Sequence, residues 1–549
     1  MALSLSPAGR AKLINLLICF SLGNLCFLRR WYDLEQLQER AIDYYRAGPP
    51  DLTLFYSTLL GSLVLTAVFW LAWQWVEQRP TPGKLRVAHT GFLLMLIFPL
   101  ESVRRYWNAQ GPRYDVPTNL ALAAVETTLF VGMIMAMMGN SRIVRPARRA
   151  TLFLVLLLPA LLVDFMQARL TVPPQAAFAP KPPLPAIAPQ TSKRVVWLLF
   201  DEFDERLAFE LRRPEVPLPE LDRLRSESFT ASHATQTAYW TMMAVPSLID
   251  GRIYPRVDLV SLDTLRLFPE GSKNPVSWRD ETNVFQRARR LGVNTALTGW
   301  HHPYCRVIGD SLTQCFDVPN GQPPAALLRE ISMAEEGPLK GTVFLFRLQW
   351  VNLKEMLHLG GDTPVTLRDE FLQQRQQKIY FEIREHGFAA AADPQLGLVF
   401  LHFPIPHFYG IYNRERRDFT LNRNLSYADN LALVDRTLGE LRRLLEQKGL
   451  WDSTTILVSS DHGLRPDIWR GRMGWTDELE ELTITGQSPR VPFIVKFAET
   501  NQSANYDRPF SAVITGDFVL AVLAGEISNA SEAASWLSQR DAIAGKSVR

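Results

Sequence analysis

Cysteine is scarce in this chain, with four in 549 residues, too few for a fold built on disulfides. Glycine, at 31, is outnumbered by proline at 37 and follows no three-residue period, which excludes a collagen-like rod. Charge is thin too: 21% of residues are charged and 47% hydrophobic, a balance that excludes an intrinsically disordered chain. The formal net charge is only +3, but it is unevenly divided. Residues 1–170 hold 17 Lys+Arg against 10 Asp+Glu, and the other 379 hold 42 against 46. A basic apolar third thus precedes a mildly acidic remainder. That layout argues against a free cytoplasmic protein, and no nucleic-acid partner is expected.

Five apolar runs lie in the basic third: Leu13–Leu28, Leu52–Trp75, Val87–Leu100, Leu120–Met138 and Leu152–Met166. A bilayer core about 30 Å thick needs roughly 20 apolar residues at about 1.5 Å each, so about five spanning helices are expected, in a membrane domain over 1–170. Arg10, Lys12, Arg79, Lys84, Arg86, Arg142, Arg145, Arg148 and Arg149 fall on one side if the N-terminus is cytoplasmic. The rest of the chain then emerges beyond the membrane. Pro173–Pro189 is rich in Pro and Ala, which predicts an extended spacer within a linker of 171–192.

From residue 193 the pattern changes. RVVWLLFDE, VNTALTGW, LGLVFLHF and STTILVSSDHG are short continuous apolar runs that read as strands buried on both faces, and RVPFIVKF is a later one. Ser426–Gln447 has its leucines at helical spacing. Strands alternating with helices predict an α/β domain over 193–525, followed by a tail of 526–549. Polar residues gather at the ends of these strands: Asp201-Glu202, His301-His302, His407 and Asp461-His462. In open α/β sheets, sites form at the carboxyl ends of strands. Mixed carboxylate and imidazole donors suit a divalent metal, zinc first, with manganese, magnesium and calcium as alternatives. Asp204 and Glu205 read as solvated acids. In ATQTAYWTMMAVPSLIDGR, Thr235, Thr237, Thr241 and Ser247 are candidate nucleophiles by type, provided a metal lowers the hydroxyl pKa.

The strand-then-acid start, the Thr-containing segment before Pro246 and SSDHG at 459–463 resemble the alkaline phosphatase/sulfatase superfamily. With the membrane layout, the chain is similar to the phosphoethanolamine transferases and, more loosely, the lipoteichoic acid synthases. The resemblance implies an α/β sandwich domain with Thr241, in TMMAVP, as the nucleophile and Asp201, Glu202, Asp461 and His462 as metal ligands. It implies that His301 or His302, in TGWHH, and His407, in PIPHFYG, bind substrate, with His402 structural. The histidine that the transferases carry after SDHG is absent, and Arg465, Arg470 and Arg472 stand there instead. Arg465 is the residue expected to hold the phosphate. Cys305 and Cys315, ten residues apart, could close one disulfide loop. No Cys lies near Thr241, which argues against sulfate-ester hydrolysis.

The activity implied is transfer of a phospholipid-derived head group, phosphoethanolamine or phosphoglycerol, through a phosphothreonine to a glycolipid or glycan. It would take place on the outer face of a bacterial inner membrane, with the catalytic domain periplasmic. Two rivals stand beside it: a membrane-tethered phosphodiesterase or phosphatase, and a catalytically inactive binding module.

Overall fold

The computed structural model describes residues 6–544 except 29, 32–43, 46–52, 79, 110–115, 141, 154, 156–174, 320–324, 358, 360–363 and 485. The chain divides into two compact units that do not follow the expected boundaries. One is Met1–Glu39, Pro49–Pro174 and Pro323–Pro364, and the other is Arg40–Gly48, Gln175–Gln322 and Val365–Arg549.

The first unit is helical. Its elements include Pro7–Cys26, Thr53–Gln78, Pro82–Ala109, Val116–Met137 and Val144–Phe153. Among the described residues, two stretches, Thr53–Gln78 and Pro82–Glu101, are long and apolar enough to cross a membrane, and Ala123–Met137 is apolar but shorter. The five-span expectation is thereby reduced to two candidates by length and composition, and most of the fifth run lies outside the described residues. Residues 323–364 also belong to this unit, although both flanks of that insertion belong to the other.

The second unit is built on an eight-stranded sheet. Its strands are β1 (Val195–Asp201), β2 (Phe229–Ala231), β3 (Thr295–His301), β4 (Gln314–Pro319), β5 (Leu398–Pro406), β6 (Thr455–Ser460), β7 (Phe493–Lys496) and β8 (Ala504–Tyr506). Their spatial order is β8-β2-β7-β6-β1-β5-β3-β4. The run from β6 to β4 is parallel, and β7 is antiparallel to both β6 and β2. Alternate residues of β1 feed two cores: Val195, Trp197 and Leu199 on one face, Val196, Leu198 and Phe200 on the other. Burial of both faces explains why β1 is apolar throughout.

Helix Tyr427–Gln447 covers one face with Leu431, Val434, Leu438 and Leu441. It starts where Ser426 N–H donates to Asp429 Oδ2 at 2.8 Å, the reciprocal half of a capping box. Helices Thr241–Asp250 and Thr515–Leu523 pack on the other face. Two expectations change here. The helix Ala530–Ala544 buries Ala530, Ala533 and Leu537 in this core, so that segment is not a tail. The proline-rich stretch is not a free spacer, because Lys181 N–H donates to Cys305 O at 2.9 Å and Leu184 N–H to Leu312 O at 2.7 Å.

Candidate metal and phosphoryl-transfer site

Because β1, β3, β5 and β6 are parallel neighbours, their carboxyl ends open on one edge of the sheet. That edge collects Asp201, His301, His407 and the Asp461-His462 pair from segments far apart in sequence. Both oxygens of Asp201 are fully buried and unpaired by hydrogen bonds. Asp461 divides its work: Oδ1 accepts from the N–H groups of Glu202 (3.2 Å) and His462 (2.8 Å), while Oδ2 is unpaired. Buried carboxylate oxygens without donors are costly. Burial pushes the Asp201 carboxyl well above its usual range, with Asp461 adding to the effect, and burial pushes Asp461 up to about 6. A bound cation would reverse both shifts.

His462 supplies nitrogen. Its Nδ1–H donates to Gly463 O at 3.0 Å, which leaves Nε2 as the bare acceptor. Nε2 lies 3.3 Å from Asp461 Oδ2 and 3.6 Å from Asp201 Oδ1. Burial holds this imidazole well below its usual pKa, so it is neutral and ready to ligate. Gly463 is required for packing, because a Cβ there would meet Ser488 O at 2.8 Å.

Thr241 stands at the first position of the ten-residue helix Thr241–Asp250. Its hydroxyl donates to His462 Nε2 at 3.1 Å. The helix N-terminus favours negative charge on an oxygen there. Asp201, Thr241, Asp461 and His462 thus form a mixed O/N donor set that fits a divalent metal. His402, expected to be structural, comes to the same place and groups with Asp201 and Asp461 as a possible metal ligand. An atom of its ring lies within 4.8 Å of carboxylate oxygens of Asp201 and Asp461, its Nδ1 meets Tyr304 Oη at 2.8 Å, and its Nε2 is unpaired.

Glu202 departs from the expected ligand set. Its backbone is left-handed (φ 64°), and its carboxylate takes Arg465 Nε at 2.6 Å and Trp469 Nε1 at 2.8 and 2.9 Å. It therefore anchors Arg465 instead of joining Asp201 and Asp461. The Arg465 guanidinium carbon also sits 5.1 Å from the Trp240 ring and 5.8 Å from Tyr239. His407 Nδ1–H donates to Phe408 O, and its Nε2 is 4.0 Å from Glu202 Oε2. Burial lowers the His407 imidazole to about 4. Asp204, expected as a solvated acid, is buried and caps a turn by accepting from Arg206 N–H (2.9 Å) and Leu207 N–H (3.2 Å).

The two adjacent histidines separate in role. His301, also left-handed (φ 78°), leaves Nδ1 unpaired. His302 is fully buried, with both nitrogens used: Tyr44 Oη donates to Nδ1 at 3.0 Å, and Nε2–H points to Thr241 O at 3.4 Å. It thus braces the turn that carries Thr241 and does not face a substrate. Tyr44 is itself fixed, as its carbonyl accepts Arg306 Nη2 at 2.6 Å, and no sequence signal links it to His302. Tyr44→Phe is expected to leave a buried imidazole nitrogen unpaired and to lower stability by about 1–3 kcal/mol, read as a reduced denaturant midpoint. An unchanged midpoint would dismiss the brace. Cys305 and Cys315 form a disulfide with Cα atoms 5.6 Å apart.

The family model for type I phosphodiesterase/nucleotide pyrophosphatase matches residues 195–480. A comparison with curated proteins finds no match. Similar solved structures include lipoteichoic acid synthase LtaP from Listeria monocytogenes, at 13% identity over 62% of this chain and 75% of that one, TM-score 0.35. A protein of the alkaline phosphatase superfamily from Vibrio parahaemolyticus is also 13% identical, over 62% and 68%, TM-score 0.35. Murine ectonucleotide pyrophosphatase/phosphodiesterase 5 is 12% identical over 60% and 95%, TM-score 0.33. Matched over more than half its length, the chain belongs to the type I phosphodiesterase/nucleotide pyrophosphatase family.

Proposed function

We propose that this protein is a membrane-associated, metal-dependent phosphotransferase that moves a phospholipid head group through Thr241. The observation that carries the reading is the Thr241 hydroxyl, 3.1 Å from His462 Nε2, beside buried carboxylate oxygens that have no donors. Asp201, Thr241, Asp461 and His462 would hold the metal, zinc before manganese, magnesium or calcium, and when bound it supplies a lower hydroxyl pKa and neutralisation of phosphoryl charge. In the first half-reaction Thr241 Oγ1 bonds to phosphorus and the bond from phosphorus to diacylglycerol oxygen breaks, the proton passing to that oxygen. In the second, an acceptor hydroxyl on a glycolipid or glycan bonds to phosphorus, the Thr241 oxygen leaves, and it takes up the acceptor's proton. Arg465, locked by Glu202, whose carboxylate Trp469 also holds, binds phosphoryl oxygens, with His301 and His407 at the flanks. The helices Thr53–Gln78 and Pro82–Glu101 support a membrane location, with the catalytic unit on the periplasmic side.

A second reading, hydrolysis of the phosphothreonine by water, is favoured by the phosphodiesterase family match itself. The test compares, by mass spectrometry, the glycolipids and glycans of cells making the protein with those of cells making Asp461→Asn. An adduct with the mass of phosphoethanolamine or phosphoglycerol, present only with Asp461, is the expected result. Identical profiles, with purified protein that still cleaves a phosphodiester, would replace transfer by hydrolysis.

A further inference from the structure

Within the insertion 323–364, the helical run Ala325–Met356 is broken at Gly337, whose φ of 77° is non-helical, just before Pro338. We infer that residues 338–356 form a lipid-contacting helix, seated in the bilayer at the end reached by the N-terminus of Thr53–Gln78. The inference rests on the membrane reading above and extends it to a segment that lies, in sequence, inside the catalytic unit.

One face of this helix is committed to the helical unit. Thr342 Oγ1 donates to Ser57 O at 3.1 Å and Ser57 Oγ to Pro338 O at 3.1 Å. Gln349 Nε2 donates to Cys26 O at 2.7 Å. Leu345 is buried with Phe27 and Leu54. The helix is therefore packed against the first turns of Thr53–Gln78, a helix long and apolar enough to cross a membrane.

The opposite face decides the environment. At about 100° per residue, Leu339, Val343 and Trp350 lie across the helix from the buried Leu345 and Leu348, and they are 74%, 69% and 57% exposed. A helix on a water-facing surface puts polar residues there, whereas one that is apolar on both sides belongs in a core or in lipid. The neighbouring helix is similar, with Val68 and Leu71 exposed by 53% and 61%. Lys340, Arg347 and Lys354 recur every seventh residue, which places them in one stripe beside the apolar face. From there long basic side chains reach headgroup phosphates while their stems stay in the apolar layer. The occupant that fits an apolar face bordered by a basic stripe is phospholipid.

The test uses the full-length protein in phospholipid vesicles, with nitroxide labels on single introduced cysteines and the unsubstituted protein as background. Labels at Val343→Cys and Trp350→Cys are expected to collide several-fold more often with dissolved oxygen than with an aqueous nickel complex. Ser503→Cys, on an exposed loop of the catalytic unit, should show the reverse. Leu71→Cys tests the membrane reading itself: if it too prefers nickel, that reading fails. If Leu71→Cys prefers oxygen while 343 and 350 prefer nickel, or meet neither reagent, the lipid-contacting helix is overturned alone. Two labelled positions on the same face keep the result readable if one variant does not fold.

Discussion

Thr241→Ala is expected to lower kcat on a chromogenic phosphodiester by roughly 10⁴-fold or more, as loss of a covalent nucleophile does. The substitution removes the hydroxyl, with its bond to His462, and one methyl group, and leaves the rest of the site in place. Alanine is favourable in a helix, so the helix Thr241–Asp250 should persist and the unfolding midpoint should move little. Asp201, Asp461 and His462 remain as donors, so metal should still bind, more weakly. Thr241→Ser restores a hydroxyl at the same helix end and should recover most of the turnover. The discriminating measurement is kcat together with metal content. Full activity in Thr241→Ala would remove the phosphothreonine from the mechanism, and loss of metal along with activity would recast Thr241 as a ligand only.

Glu202→Ala is expected to cost about 3–5 kcal/mol of stability, the usual result of removing one partner from a buried ion pair. Arg465 and Glu202 are 3% and 0% exposed, so water does not reach the guanidinium to take the carboxylate's place. With metal bound, Asp201 and Asp461 are neutralised and offer Arg465 little compensation. The paired change Glu202→Leu with Arg465→Met should recover much of the loss, because apolar replacement of a buried pair is often neutral, while phosphodiester turnover stays low. Metal stoichiometry separates the two roles of Glu202. An anchor variant is unstable with metal still bound, whereas a ligand variant would fold normally and lose metal.

That contrast shows where sequence reading works on this chain. The strands β1, β3, β5 and β6 are legible because burial on both faces demands unbroken apolar runs, and their polar ends mark one edge of the sheet. Asp201 and Glu202 look alike as neighbouring acids, yet adjacent side chains at a strand end turn to opposite sides. Only the arrival of Arg465 and Trp469 from 263 and 267 residues away decides which side each takes. His301 and His302 divide for the same reason, through Tyr44, 258 residues distant from His302. The insertion is hidden differently. Lys340, Arg347 and Lys354 break its apolar residues into short pieces, so nothing in the run itself marks it as part of the helical unit.

The strand order also has a consequence for how the chain is made. The neighbours of β1 are β5 and β6, and both follow the insertion 323–364 in sequence. A growing chain that has reached β4 holds β3 and β4 as a pair, and β1 as a strand with neither flanking partner. Synthesis then delivers the apolar helix 338–356 before it delivers the strand that joins β1 to β3. With elongation at about 5–20 residues per second, the insertion has a head start of several seconds in which to settle on the helical unit. The sheet therefore closes late, and Asp201 on β1 and the Asp461-His462 pair after β6 can meet only once more than four-fifths of the chain has been made.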